Sequence, residues 1–244
     1  MARPRYPKST GPLPPPLPPV SRTVGQLVAE TLKLYGEHWK AGVVIGLPPA
    51  FLSAVAAGFS RDQTLAIVPF AGAVAATASF VIASAVVSGV SLRRRSTVNA
   101  AIAGALVYLP FPFLAAVFIL PGLAWFALVG LAVPAAIAES LGVKDALRRG
   151  FALGRADYVH ALGGLATLTM LVFVTQIVVS LLLQGFADNS ERAAAFMAGL
   201  VLSPVLFFGA ALLYLDQAAR VGTTRAERLA LRPAPPGPAP SPPK

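Results

Sequence analysis

Residues 96–138 read STVNAAIAGALVYLPFPFLAAVFILPGLAWFALVGLAVPAAIA, without one charged side chain between Arg95 and Glu139. A membrane span takes about 20 largely apolar residues to cross a hydrocarbon core about 30 Å thick. The run is too long for one span and long enough for two. Pro121-Gly122 is the natural turn between them, because neither residue continues a helix comfortably. One re-entrant loop over the same residues is the alternative, and it leaves the orientation of the rest unchanged. Working outward, four more charge-free stretches appear: 41–60 between Lys40 and Arg61, 63–92 between Asp62 and Arg93, 161–187 between His160 and Asp188, and 193–215 between Arg192 and Asp216. The expectation is an all-α polytopic membrane bundle of six transmembrane helices, at about 41–60, 65–91, 99–119, 122–138, 161–185 and 194–215.

Composition supports lipid as the solvent. The chain is 56% hydrophobic and 12% charged, where a soluble domain carries about 25% charge. The net charge of +10 admits two readings, a nucleic-acid surface or the basic cytoplasmic bias of a membrane protein. Its distribution favours the second, with no nucleic acid involved. With the N-terminus inside, the inner segments 1–40, 93–98, 139–160 and 216–244 hold 18 of the 20 lysines and arginines, and only Arg61 and Arg192 lie outside. That asymmetry is what the positive-inside rule demands, and it supports an even number of spans. The expected location is therefore a bacterial cytoplasmic (inner) membrane, with both termini cytoplasmic. No apolar signal-peptide core precedes position 41, so the first span is read as an uncleaved anchor.

Prolines mark the domain limits. Eight fall between Pro4 and Pro19 and seven between Pro233 and Pro243. Such runs build neither helix nor sheet and read as extended tails. The division is a Pro-rich tail at 1–20, a membrane domain at 21–218 and a basic, Pro-rich tail at 219–244.

Two amphipathic segments precede spans. From Thr23 to His38, Val24, Leu27, Val28, Leu32 and Tyr35 form one helical stripe, and Thr23 with Gln26 has capping-box spacing. From Val143 to Tyr158, Val143, Ala146, Leu147, Phe151, Gly154 and Tyr158 form another. Arg148, Arg149 and Arg155 lie on its polar face. A slide of 119 positions superposes Val24 on Val143, Val28 on Leu147, Leu32 on Phe151, Leu34 on Leu153 and Trp39 on Tyr158. This is an internal repeat of interfacial helix, aromatic anchor and helical hairpin, with a degraded third copy starting at Thr97-Val98-Asn99. Basic amphipathic helices with aromatics lie in the headgroup plane and attract anionic lipid. Bracing the bundle on its cytoplasmic side is the plainer role, and the two are compatible.

The stretch from Val133 to Leu153 carries a family resemblance. A span ends in an acidic residue, Glu139. A glycine turn follows at Gly142, and Ala146-Leu147-Arg148-Arg149 opens an amphipathic helix. This resembles the bacterial membrane region fused to some glycerophosphoryl diester phosphodiesterases, and its stand-alone six-span relatives. The early helix before span one fits, as does Leu213-Tyr214-Leu215-Asp216 followed by Arg220. The resemblance covers roughly residues 21–220 and implies a fold rather than an activity. In the fused proteins the chemistry belongs to a separate barrel, which takes about 250 residues, and no such stretch lies outside the spans here.

Signals for chemistry are few. Cysteine is absent, which removes thiolate metal sites and a cysteine nucleophile. His38 and His160 each stand at the start of a span beside Trp39 and Tyr158, which reads as interfacial anchoring. No metalloprotease motif, nucleophile elbow or glycine-rich phosphate loop is present, so no enzyme and no cofactor is expected. No charge falls near the middle of a span, which argues against a proton-coupled pump or a charge-selective channel. Gly42 with Gly46, Gly72 with Ala76, and Ser84 with Ser88 read as small-residue packing surfaces. Thr169, Gln176 and Ser180 share one face of span five, read either as helix–helix contacts or as part of a solute path. Prolines interrupt the spans, and Pro110-Phe111-Pro112, near the middle of span three, is the best candidate for a broken-helix site. Three functions follow in order: a non-enzymatic scaffold that holds anionic lipid or a membrane-protein partner, a small transporter or lipid-handling protein using the Pro-broken spans, and an enzyme acting on lipid.

Overall fold

The computed structural model describes residues 18–56, 58–117, 119–182 and 188–230. The reading of the two terminal tails falls mostly outside them. The described residues are all-α. A short 3-10 turn, Pro19–Ser21, is followed by α1 (Val24–Glu37), α2 (Trp39–Ala56), α3 (Arg61–Ser88), α4 (Arg94–Tyr108), α5 (Phe111–Val117), α6 (Ile119–Val129), α7 (Ala132–Ala138), α8 (Val143–Ala156), α9 (Tyr158–Leu182) and α10 (Asp188–Ala230). Among the described residues, six stretches are long and apolar enough to cross a membrane: Trp39–Ala56, Arg61–Ser88, Arg94–Leu114, Ile119–Ala138, Tyr158–Val179 and Ala195–Gly222. The protein is thus a polytopic helical membrane protein.

The stretch from 96 to 138 makes two spans. Tyr108 and Phe126 stack at 5.3 Å between ring centroids, and the Trp125 indole donates to the Val107 carbonyl at 2.9 Å. Asn99 Nδ2 donates to the Leu141 carbonyl at 3.1 Å near the other end. These contacts pair an outgoing with a returning helix. The turn comes earlier than Pro121-Gly122. Helix α6 starts at Ile119, and Pro121 lies within its first turn, where a missing N–H costs nothing. Helix α10 also runs on to Ala230, so the boundary read at 218/219 falls inside a helix.

The repeat is visible in the helix boundaries. Helices α1 and α8 begin at Val24 and Val143, and α2 and α9 at Trp39 and Tyr158, each pair 119 positions apart. The buried faces correspond as well. Leu27 and Thr31 in α1 match Ala146 and Gly150 in α8. The stripes differ from the sequence reading at one equivalent pair, since Leu32 and Phe151 are 48% and 42% exposed. Small residues bury in their place because backbone closeness, not side-chain bulk, decides these interfaces. A Cβ on Gly150 would overlap the backbone of Ala132, and one on Gly154 the carbonyl of Ala127. The third copy is not a separate interfacial helix, because α4 enters its span directly from Arg94. Thr23 and Gln26 do form the capping box of α1, and Ser60 with Gln63 form a second one at α3.

Burial ranks the spans. The window in Ile119–Ala138 is 61% buried and lies at the centre, whereas that in Tyr158–Val179 is 17% buried and lies at the edge. Lipid is as apolar as leucine, so close packing and satisfied backbone hold such a bundle. The prolines show how. Pro49 cannot donate to the Ile45 carbonyl, and the buried Ser79 hydroxyl of α3 donates to it instead at 2.6 Å. Pro204 likewise frees the Leu200 carbonyl of α10. That oxygen lies against Gly46 of α2, where a Cβ would overlap it. Gly199 of α10 meets the backbone of Ala50 in return. Gly46 is therefore a close-approach glycine, as read. Gly42 faces the Tyr35 ring, whose phenol is raised above its ordinary value by burial. Gly72 has room before it, since a Cβ there would stand 3.7 Å from Leu52.

Candidate functional site

The two ends of the bundle differ in kind. One end gathers the N-terminal segment, the α3–α4 and α7–α8 connections, the α8–α9 junction and the last part of α10. Arg22 bonds Asp216 at 2.5 Å, with the Asp216 side chain fully buried. Arg220 bonds Asp157 at 2.7 Å and the Arg22 carbonyl at 2.9 Å. Gln217 Nε2 donates to the Asp157 carbonyl at 3.1 Å. His160 lies 3.4 Å from the Arg220 guanidinium. Residues 22 and 216–220 meet here, so the first and last described segments lie on the same side. A second group forms nearby: the Tyr214 hydroxyl and Arg149 Nε both donate to Glu139 Oε1, each at 2.8 Å.

These networks assign the three arginines of α8 different places. Arg149 is held by Glu139 and braces α8 against α10. Arg148 and Arg155 are exposed, and Arg155 lies 5.4 Å over the Phe151 ring. The single basic face read from sequence is therefore two exposed arginines and one structural one. The interlocking of Arg22, Asp157, Asp216 and Gln217 carries a weak sequence signal. The chain has 10 acidic residues against 20 basic ones, and Glu139, Asp157 and Asp216 all border spans, where an unpaired carboxylate is costly.

The opposite half of the bundle contains a cavity of about 650 Å³. Helix α3 supplies one wall from Thr64 to Ala76, α5 and α6 a second from Phe111 to Phe126, and Leu165, Thr169, Leu206 and Phe207 of α9 and α10 close the rest. Tyr108, Phe126 and Phe207 line the cavity, and behind them the fully buried Phe80 packs against Phe126 at 5.7 Å, and against Phe207 and, edge-on, Tyr108 at 6.2 Å. Thr64, Tyr108 and Thr169 bring the only hydroxyls among the described lining side chains. On the rim, Leu65 and Phe113 are 67% and 57% exposed, so the cavity opens to the outside of the bundle. Thr169 lies eleven residues into α9, about 16 Å from its start at 1.5 Å per residue, which places the cavity between the middle of the membrane and the far end.

The residues read as a solute path divide here. Pro112 and Thr169 line the cavity, while Pro110 does not but separates α4 from α5. The break lies nearer the far end than the middle of span three, and the Trp125 indole satisfies the Val107 carbonyl beside it. Gln176 is exposed on the far half of α9, and the Ser180 side chain lies outside the described residues. Thr169 and Gln176 therefore do not share one site. Their even helical spacing carries no information on how far along α9 the bundle extends. Comparison with protein-family models, with curated proteins and with solved structures finds no significant match for this chain.

Proposed function

We propose that this chain is a non-enzymatic lipid-handling protein of a bacterial cytoplasmic membrane, which seats an acyl chain in the far-half cavity. The observation that carries this reading is the cavity itself. Its volume falls in the range of about 300–1,000 Å³ common for ligand sites, its lining is almost entirely apolar, and its rim is exposed at membrane depth. Acyl chains are the apolar molecules a bilayer supplies there. The orientation has its basic end and both termini in the cytoplasm, supported by the 18 basic residues on that side. The Pro-broken wall at Phe111–Phe113 supports lipid handling over the scaffold reading, because it gives the cavity a side that a continuous helix would fill. The scaffold role, and kinship with the six-span region of the phosphodiesterases, remain compatible with the exposed Arg148 and Arg155, which fit an anionic membrane surface.

The test uses a phospholipid with a photoreactive acyl chain, incorporated with the purified chain into nanodiscs. Cross-links are expected on α3 and α6 residues of the cavity. Ala76→Trp is expected to lower them about tenfold, and Arg148→Gln with Arg155→Gln to leave them unchanged. Labelling spread evenly over lipid-facing residues, and indifferent to Ala76→Trp, would sink the proposal.

A further inference from the structure

A second site lies at the basic end, away from the buried ion pairs. The α3–α4 connection and the α7–α8 turn border a cleft of about 290 Å³ lined by Arg93, Arg95, Ser96, Asn99, Ser140 and Gly142. No carboxylate lines it among the described residues. Among the described residues neither Arg93 nor Arg95 has an ion-pair or hydrogen-bond partner for its guanidinium. That separates them from Arg22, Arg149 and Arg220, which are all engaged with acids. Glu139, which precedes the lining residue Ser140, is already bonded to Arg149 and Tyr214.

The cleft is also built rather than incidental. The Arg93 carbonyl accepts from the Ser96 hydroxyl at 3.0 Å, the Thr97 hydroxyl at 2.9 Å and the Thr97 amide at 2.9 Å. This fixes the backbone from which the first guanidinium springs. Asn99 ties the opposite wall by its bond to the Leu141 carbonyl. Ser140 holds a left-handed φ of 52°, a conformation that non-glycine residues rarely adopt. Beside these residues in the sequence, Val90, Leu92 and Val98 are 39%, 46% and 50% exposed.

We propose that this cleft binds a phosphate-ester anion, the headgroup phosphate of an anionic membrane lipid. Two unengaged guanidiniums in one cleft match a phosphate's oxygens with paired donors, a geometry lysine does not reproduce. Basic pockets at the cytoplasmic ends of spans suit lipid headgroups. The exposed Val90, Leu92 and Val98 favour a lipid over a free ester, since they give its acyl region a surface beside the phosphate. This site is separate from the far-half cavity, and either can fail without the other.

The experiment places the full chain in nanodiscs of mixed phosphatidylglycerol and phosphatidylcholine and counts retained lipids by native mass spectrometry after gentle release. The wild type is expected to retain phosphatidylglycerol in preference. Arg93→Gln with Arg95→Gln is expected to cut that preference at least tenfold, at about a factor of five per basic residue near a membrane surface. Arg93→Lys with Arg95→Lys keeps the charge and the fold and is expected to recover only part of it. Arg148→Gln with Arg155→Gln removes the same charge and is expected to cost clearly less. Equal losses in the two Gln pairs would overturn the site in favour of diffuse surface charge. In lipid-depleted micelles, a rise in melting temperature with millimolar glycerol phosphate, without any phosphatidylglycerol preference in nanodiscs, would overturn the lipid assignment in favour of a soluble ester.

Discussion

The basic half of the bundle is closed and the far half is open, though the same helices build both. In the basic half, α8 lays Gly150 and Gly154 against the backbones of α7 and α6, and α10 is bonded to the N-terminal segment and the α8–α9 junction by Arg22, Asp157, Asp216 and Arg220. In the far half, α9 has no fully buried residue after Leu168 among those described, and Met170, Phe173, Val174 and Leu181 are exposed. The α3, α5 and α6 segments there leave a cavity where the other half has contacts. The difference teaches where specificity comes from in lipid. Apolar side chains are content on either side of an interface, so a segment without glycines, bonded carbonyls or ion pairs has little reason to pack.

The largest effect should come from unlocking the closed half. Arg22→Ala leaves the buried Asp216 carboxylate without its closest partner, and losing one member of such a pair costs about 3–5 kcal/mol. For a chain of this size that corresponds to a fall in melting temperature of about 10 °C, read by thermal unfolding in detergent. Replacing both members by apolar residues, Arg22→Met with Asp216→Leu, should recover most of the loss, because the pair is costly to break and not to replace. A fall below about 2 °C for Arg22→Ala would mean that the buried pair does not close this end.

Next comes the α2–α10 contact. Gly46→Val must push against the Leu200 carbonyl, which is backbone and cannot swing away. Overpacking of this kind costs about 1–3 kcal/mol. Gly72→Val is the matched change at the cavity wall, where the nearest side chain is 3.7 Å from the added carbon, and it should cost under about 0.5 kcal/mol. Equal losses at the two glycines would erase the contrast between the packed α2–α10 contact and the open cavity wall.

The extent to which the sequence showed all this follows from the kind of signal each feature leaves. The spans were legible because lipid forces long runs without charge, and the repeat because Trp39 and Tyr158 stand at equal distances from Val24 and Val143. The inner faces of α1 and α8 were less so. Periodicity favours large apolar residues such as Leu32 and Phe151, whereas close packing buries Thr31 and Gly150. The turn near Ile119 was misplaced because Pro121 is as acceptable inside a first helical turn as in a loop. Pro112 and Thr169 line the cavity, but Gly72 and Phe207, which line it too, left no mark that distinguishes a cavity wall from ordinary core. The carbonyls freed by Pro49 and Pro204 were predictable as a class, but not the Ser79 hydroxyl that bonds the first or the Gly46 backbone that packs against the second, each 30 or more positions away in sequence and joined only by the fold.

The smallest effect should come at Gln176, and it tests the open half most directly. The residue is exposed on a stretch of α9 where the neighbouring side chains face lipid. Were it a helix–helix hydrogen bond, as its polarity suggests, Gln176→Leu would cost about 0.6 kcal/mol or more, the average for such bonds in membranes. On a lipid-facing surface the change trades a polar amide for an apolar chain and should leave the melting temperature in place or raise it by about 1 °C. Thr169→Val, at the cavity wall, should likewise spare stability but alter which acyl chains are retained. A marked destabilisation by Gln176→Leu would show that α9 closes onto a neighbour along its whole length, and the far half would then be as tightly assembled as the basic one.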